Sequence, residues 1–287
     1  SASYILGYRV GLLASGAGAL YLAEYLDWST SYHVMAMLVG IGMATVFLVS
    51  EPDHGIAQSV PASEQRVVDF LLRSQHLSTW SRSIQAWFIG AVVCPFVEFF
   101  ERNGRFALVV LLFISVFRLS DIAMGIMANP FYLDMGYSLT DIASVAKVFG
   151  FLMSIAGSVV CGIVIVKWGI FRPLLVGAVA VAATNLLFAG LSLLEPKIVY
   201  LAVVISADNI SGGFAATAFV AYLSSLTSRA YTATQYALFS SLMTLPGKFI
   251  SGFSGIVVDG IGFLPFFIGA AALGLPAIYL VLLLRKK

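Results

Sequence analysis

Hydrophobic positions gather into eight long runs, near Tyr4–Leu26, Ser31–Val49, Phe106–Ala128, Leu139–Val166, Leu174–Leu194, Val199–Ser224, Thr234–Ile256 and Phe263–Leu284. Each comes close to or exceeds the roughly 20 apolar residues that a helix needs to cross a bilayer. None alternates with the period of a lipid-facing strand. The pattern therefore predicts an all-α integral membrane protein with about eight transmembrane helices. Charge between the runs alternates in sign. Arg66, Arg73, Arg82, Arg102 and Arg105 follow the second run, Lys167, Arg172 and Arg229 sit in later loops on that side, and Arg285, Lys286 and Lys287 form the tail. The opposite loops hold Asp27, Asp134 and Asp259, with Lys197 beside Glu195. Cationic loops stay on the cytoplasmic side, which predicts a cytoplasmic C-terminus.

Residues 51–104 do not fit a span. They open on the turn-rich Glu51-Pro-Asp-His-Gly55, continue through Glu64–His76 and reach Ile84–Phe96, a short apolar run that Pro95 interrupts. Amphipathic helices resting on the inner leaflet suit this segment, with Trp80, Trp87, Phe88, Phe96, Phe99 and Phe100 at headgroup level. The chain thus divides into residues 1–50 with two spans, a cytoplasmic linker at 51–104, and 105–287 with six spans. Six spans behind an inner linker resemble one half of a major facilitator transporter. On that resemblance, residues 1–50 are the last two helices of a truncated N-terminal half, and the lack of an initial Met fits a fragment. Gly136-Tyr-Ser-Leu-Thr-Asp141 and the later Gly162–Pro173 stretch resemble the turns of that superfamily.

Composition agrees, with 60% hydrophobic and 10% charged residues and a mean hydropathy of +0.97. The net charge of +2 reflects orientation in the membrane, and no basic block with interleaved aromatics points to nucleic acid. Cys94 and Cys161 lack metal-ligand spacing and face a reducing compartment. The sequence has no HExxH, GxSxG or intramembrane His pair that would suggest an enzyme. No metal or cofactor is expected.

Ionisable groups inside spans cost roughly 2.5–3.5 kcal/mol each and usually face a cavity or a partner. Five stand out: Arg118, Asp121, Lys147, Asp208 and Lys248. Arg118 and Asp121 share a helix face at i,i+3 and form either a structural lock or part of a site. Three cations against two anions predict a positively biased cavity. Asp208-Asn-Ile-Ser-Gly-Gly213 places two glycines in mid-span, either a broken helix at a binding site or a packing notch. Pro246-Gly247 predicts a kink beside Lys248, and Thr232 or Thr234 could cap the start of that helix.

Asp208 to Leu223 together with Tyr231-Thr-Ala-Thr-Gln-Tyr-Ala-Leu-Phe-Ser-Ser-Leu-Met-Thr-Leu-Pro246 resembles the AmpG family of muropeptide permeases. Gly7-Tyr-Arg-Val-Gly-Leu-Leu13, Arg118-Leu-Ser-Asp121 and Ala146-Lys-Val-Phe-Gly150 are similar to the same family. Family members usually carry Glu before the Asn and Arg after the Pro, where this chain has Asp208 and Lys248. Lys in place of Arg removes a bidentate fork. The resemblance implies a proton-coupled importer of anionic anhydro-muropeptides in the bacterial inner membrane. Acetyl-CoA or another anionic metabolite is the alternative cargo. Together with the intramembrane charges, the resemblance predicts substrate contacts at Lys147, Asn209, Gln235 and Lys248, and proton coupling through Asp208, Asp121 and Arg118. The expected partners are an anionic small molecule or glycopeptide, protons and the lipid bilayer, and the expected oligomeric state is a monomer.

Small residues recur at every fourth position in the first span (Gly7, Gly11, Ser15, Ala19, Ala23) and in the fourth (Ala146, Gly150, Ser154, Ser158, Gly162). Such ridges let helices approach closely in lipid, which predicts that these two spans cross along them. The charge pattern makes a separate prediction. Single cysteines introduced at Ser63 and Lys287 should resist an impermeant thiol reagent in intact cells and react after permeabilisation, and labelling of either from outside would reverse the orientation.

Overall fold

The computed structural model describes residues 11–48, 79–228 and 231–285. Every regular element among them is helical. A π-helical turn at Ala14–Gly18 leads into α1 (Ala19–Tyr25) and α2 (Trp28–Leu48), and Asp27 caps α2 by accepting the Thr30 N–H at 2.6 Å. Next come α3 (Thr79–Phe88), a π turn at Ile89–Val93 and α4 (Cys94–Asn103). Six longer helices follow: α5 (Phe106–Asp134), α6 (Leu139–Trp168), α7 (Phe171–Leu191), α8 (Ile198–Leu226), α9 (Thr234–Ile261) and α10 (Phe263–Leu284). These six, among the described residues, are long and apolar enough to cross a membrane, against the eight expected. The first expected span begins on residues 1–10, which lie outside the described residues. So do Gly7, Ser63, the Glu64–His76 stretch, Arg66, Arg73, Arg229, Lys286 and Lys287.

Local chemistry decides where the helices deform. Arg118, at φ −98° and ψ 5°, separates Phe106–Phe117 from Leu119–Asp134 within α5. Asp121 then occupies the first turn of the second piece, where unpaired N–H groups favour a carboxylate. Pro95 does not end its helix. Its ring would clash with the carbonyl four residues back, and the π turn at Ile89–Val93 widens the helix at that point. In α9, Pro246 lies inside a helical run to Ser251, and the pattern is interrupted at Gly252 and Phe253 instead. Tyr231 occupies the N-cap position there with no side-chain cap bond of its own.

The helix α8 is unbroken through Gly212 and Gly213, so of the two readings the packing notch is the one realised. A Cβ on Gly213 would collide with the Ser154 carbonyl, and one on Gly157 with the Ile210 carbonyl. Ser158 Oγ adds a 3.2 Å hydrogen bond to Gly213 O across the same contact. On the other side of α8, a Cβ on Gly177 of α7 would lie 2.8 Å from Ala215 Cα. The small-residue ridge Gly150, Ser154 and Ser158 therefore mates with α8 rather than with the first span.

The first and fourth spans do meet, but elsewhere. Tyr21 OH and Ser144 Oγ are 2.7 Å apart, Leu139 N donates to Glu24 Oε2 at 3.2 Å, and Gly16 abuts the Lys147 stem. Ser15 bonds back to Gly11 O at 2.9 Å, both residues are exposed, and a Cβ on Gly11 would meet nothing within 4 Å. The physical reason is a π-helical run over Ile142–Phe149. Its wider turns break the four-residue register, so positions before and after it do not share one straight face.

Two aromatic cores bracket the middle of the bundle. One collects Phe99, Phe113, Phe117, Phe219 and Phe239, with Phe117 stacked on Phe219 at 4.3 Å. The other holds Phe131, Phe188 and Phe267, with Phe131 and Phe267 at 4.8 Å. Large side chains such as Val166, 88% exposed, point outward, as a lipid-facing surface requires.

Gly157→Ala should destabilise the protein by about 1–3 kcal/mol, because the added methyl forces two backbones apart. Gly162→Ala, with open space around it, should not. Thermal unfolding in detergent checks both, and equal effects would refute the close-contact argument.

Candidate functional site

Between the two cores, α5, α6 and α8 line an open cavity of about 470 Å³ whose walls include Arg118, Asp121, Ser154, Ser158, Asp208, Asn209 and Thr217. The helix break turns the Arg118 guanidinium onto Asp121, with Nε 3.1 Å from Oδ2 and a second, shorter bond from Nη2. Asp208 faces the cavity from mid-α8, and the Thr184 hydroxyl lies 3.3 Å from its Oδ1. Asn209 donates to Ile205 O at 3.1 Å and lies flush over Gly150, where a Cβ would be 3.0 Å from Asn209 Nδ2. Ser158 and Thr217 donate to Ser154 O and Gly213 O at 2.9 Å each. Their oxygens remain able to accept from a ligand.

The structure thus brings together Arg118, Asp121, Asp208, Asn209, Ser154 and Ser158 of the expected set. It does not bring in the two lysines. Lys147 Nζ donates to Asn129 Oδ1 at 3.0 Å, and its stem runs past Gly16. Lys248 is exposed on α9, and neither lysine lines the cavity. The expected positive bias is reversed at the cavity wall, where one guanidinium faces two carboxylates.

Gln235 belongs to a different place. It is 1% exposed, accepts the Ser228 N–H at 2.8 Å, and donates to Pro95 O at 2.9 Å and Glu98 Oε2 at 2.6 Å. Arg102 completes the clasp through Leu226 O and through Glu98 at 3.5 Å. With its amide saturated by protein groups, Gln235 fastens α4 beneath α8 and α9 and is not available to a substrate in the cavity.

Sequence reasoning missed a neutral knot behind the site. Asn185 Nδ2 donates to Ser120 Oγ at 2.7 Å, and Ser120 donates to Ala270 O at 2.6 Å, tying α7, α5 and α10 together. Asn185 is fully buried, and its Oδ1 has no partner among the described residues. Thr184 and Asn185 interrupt an apolar run in mid-span, which is the signal a search confined to charges passes over.

A family model of the Major Facilitator Superfamily matches residues 1–251. A protein named "Putative transporter AmpG 4" from Rickettsia felis is 33% identical over 289 residues, covering 100% of this chain and 64% of the relative. "Putative transporter AmpG 1" from Rickettsia prowazekii is 28% identical over 300 residues, covering 100% and 68%. The Escherichia coli K12 "Anhydromuropeptide permease" is 29% identical over 284 residues, covering 98% and 52%. The chain spans about half to two thirds of the length of these curated relatives.

Replacing Gln235 by Ala removes the acceptor of the Ser228 N–H and the donor to the Pro95 carbonyl and to Glu98. The expected cost is about 1–3 kcal/mol, read as a lower unfolding temperature in detergent with substrate affinity unchanged. Lost affinity at unchanged stability would return Gln235 to the substrate site.

Proposed function

The chain belongs to the Major Facilitator Superfamily, and we propose that it is a proton-coupled importer of anionic anhydro-muropeptides across the bacterial inner membrane. The superfamily and the permease-named relatives point to a transporter and not an enzyme. The cargo is proposed from the names of those relatives, and no observation favours the acetyl-CoA alternative.

The observation that carries the coupling is the cavity's charge. Arg118 against Asp121 and Asp208 gives the lining a count of minus one when both carboxylates are ionised. An anionic substrate entering such a cavity is repelled, and the low-dielectric surroundings strengthen the repulsion. Binding one proton brings the count to zero and admits the anion. Proton and substrate therefore occupy the site together and leave it together, which is symport. Asp208 is the group assigned that proton, since Asp121 Oδ2 already accepts two bonds from Arg118. Asn209, Ser154 and Ser158 offer polar contacts to sugar and peptide groups, while Lys147 and Lys248 draw the anion from outside the cavity wall.

The orientation follows the loop cations, with the C-terminus and residues 51–104 in the cytoplasm. The exposed Trp80, Ile84, Trp87 and Phe88 of α3 support a resting place at the inner leaflet.

The test is uptake of labelled anhydro-muropeptide by the full-length protein in proteoliposomes under an inward proton gradient. The wild type should accumulate substrate and lose accumulation with an uncoupler. Asp208→Asn should equilibrate substrate without concentrating it. Concentrative uptake by Asp208→Asn would remove this carboxylate from the coupling.

A further inference from the structure

We propose that Thr184 is a two-way hydrogen-bond partner that holds Asp208 in both of its protonation states. The inference rests on the proton-coupling reading of Asp208 and adds a positioning residue that lies outside the cavity wall.

Thr184 sits on α7, which contributes no residue to the lining of the polar cavity. Its hydroxyl, on a residue 4% exposed, reaches two oxygens from behind the site: Val181 O at 3.0 Å and Asp208 Oδ1 at 3.3 Å. A hydroxyl has one hydrogen to give and lone pairs to receive. When Asp208 is ionised, the Thr184 hydrogen turns to Oδ1. When Asp208 carries a proton, its own O–H donates to Thr184 Oγ1, and the Thr184 hydrogen turns to Val181 O. The exchange is a rotation about the Cβ–Oγ1 bond. No bond of Thr184 breaks, and neither form of the half-buried carboxyl is left without a partner on that side. A valine would fill the same volume and supply neither bond.

The charged and titratable groups around Asp208 leave this role open. On α5, Asp121 is engaged by Arg118, and the buried Tyr132 phenol lies within electrostatic range of Asp208. On α6, Lys147 is bonded to Asn129, and the cavity-facing residues are the hydroxyls Ser154 and Ser158. On α9, Lys248 is exposed. On α7, Thr184 is the residue bonded to the carboxylate.

A hydrogen bond to the anion is charge-assisted and stronger than one between neutral groups. Removing the hydroxyl therefore penalises ionised Asp208 more than the protonated form. The measurement is labelling by a hydrophobic carbodiimide, which reacts with protonated buried carboxyls. It is mapped to the Asp208 peptide by mass spectrometry across pH in the full-length protein. Thr184→Val should move the labelling midpoint upward by roughly one pH unit. Thr184→Ser, which keeps the hydroxyl, should restore it. Thr184→Ala serves as a second hydroxyl-free variant if Val impairs folding, and should shift in the same direction. A wild-type midpoint in the hydroxyl-free variants, or an equal shift in Thr184→Ser, overturns the proposal and marks Thr184 as an ordinary helix residue bonded to its own backbone. Concentrative uptake by Asp208→Asn, combined with a shifted midpoint in Thr184→Val, would instead retire the coupling reading and leave the hydrogen-bond switch standing.

Discussion

Backbone contact between α6 and α8 is the constraint on which the site depends. Lipid gives helices no hydrophobic reason to associate, so close packing and interhelical hydrogen bonds must hold them. Gly157 and Gly213 supply the packing by lacking a Cβ where the opposite carbonyl passes, and Ser158 adds the hydrogen bond. That contact puts Asn209 over Gly150 and brings Ser154 and Ser158 alongside Asp208 at the wall of one cavity. Ordinary side chains at the two glycines would push the helices apart and dissolve the shared wall.

Charge and support are divided among the helices. The helices α5 and α8 carry the ionisable groups into the cavity, while α7 stands behind them with the neutral pair Thr184 and Asn185. This arrangement fits the energetics of a poorly solvated site, where a carboxylate needs hydrogen bonds and a second full charge would itself need a partner. Aromatic packing closes the bundle on both sides of this polar layer, through Phe117 on Phe219 and Phe131 on Phe267.

Much of the fold was legible because hydropathy over some twenty residues is a strong signal. The six long helices follow the predicted runs closely. The ion pair Arg118–Asp121 was legible from its spacing, and Asp208 from its cost in mid-span, with Asn209 beside it in the motif. What escaped the reading were features that depend on three-dimensional register. The π-helical run at Ile142–Phe149 turns a ridge that looks straight in sequence, and Pro95 is accommodated because the turn before it widens. Gln235 looked like a cavity residue because its string is distinctive, yet its neighbours in space are Pro95 and Glu98, about 140 positions away in the chain. Lys147 and Lys248 were counted into the cavity as mid-span cations with no carboxylate partner on their own helices, which does not say which way a side chain faces.

The lining charge also decides how the membrane voltage acts on the protein. Each elementary charge carried across the bilayer exchanges about 2.3 kcal/mol per 100 mV with the field. A monovalent anion accompanied by one proton returns the cavity to the minus one of its empty, ionised state, so that cycle moves no net charge and responds only to the pH difference. A divalent anion with one proton would move one negative charge inward against an interior-negative potential. The cavity holds two carboxylates, Asp121 and Asp208, and a second proton on Asp121 would let a dianion cross without electrical work.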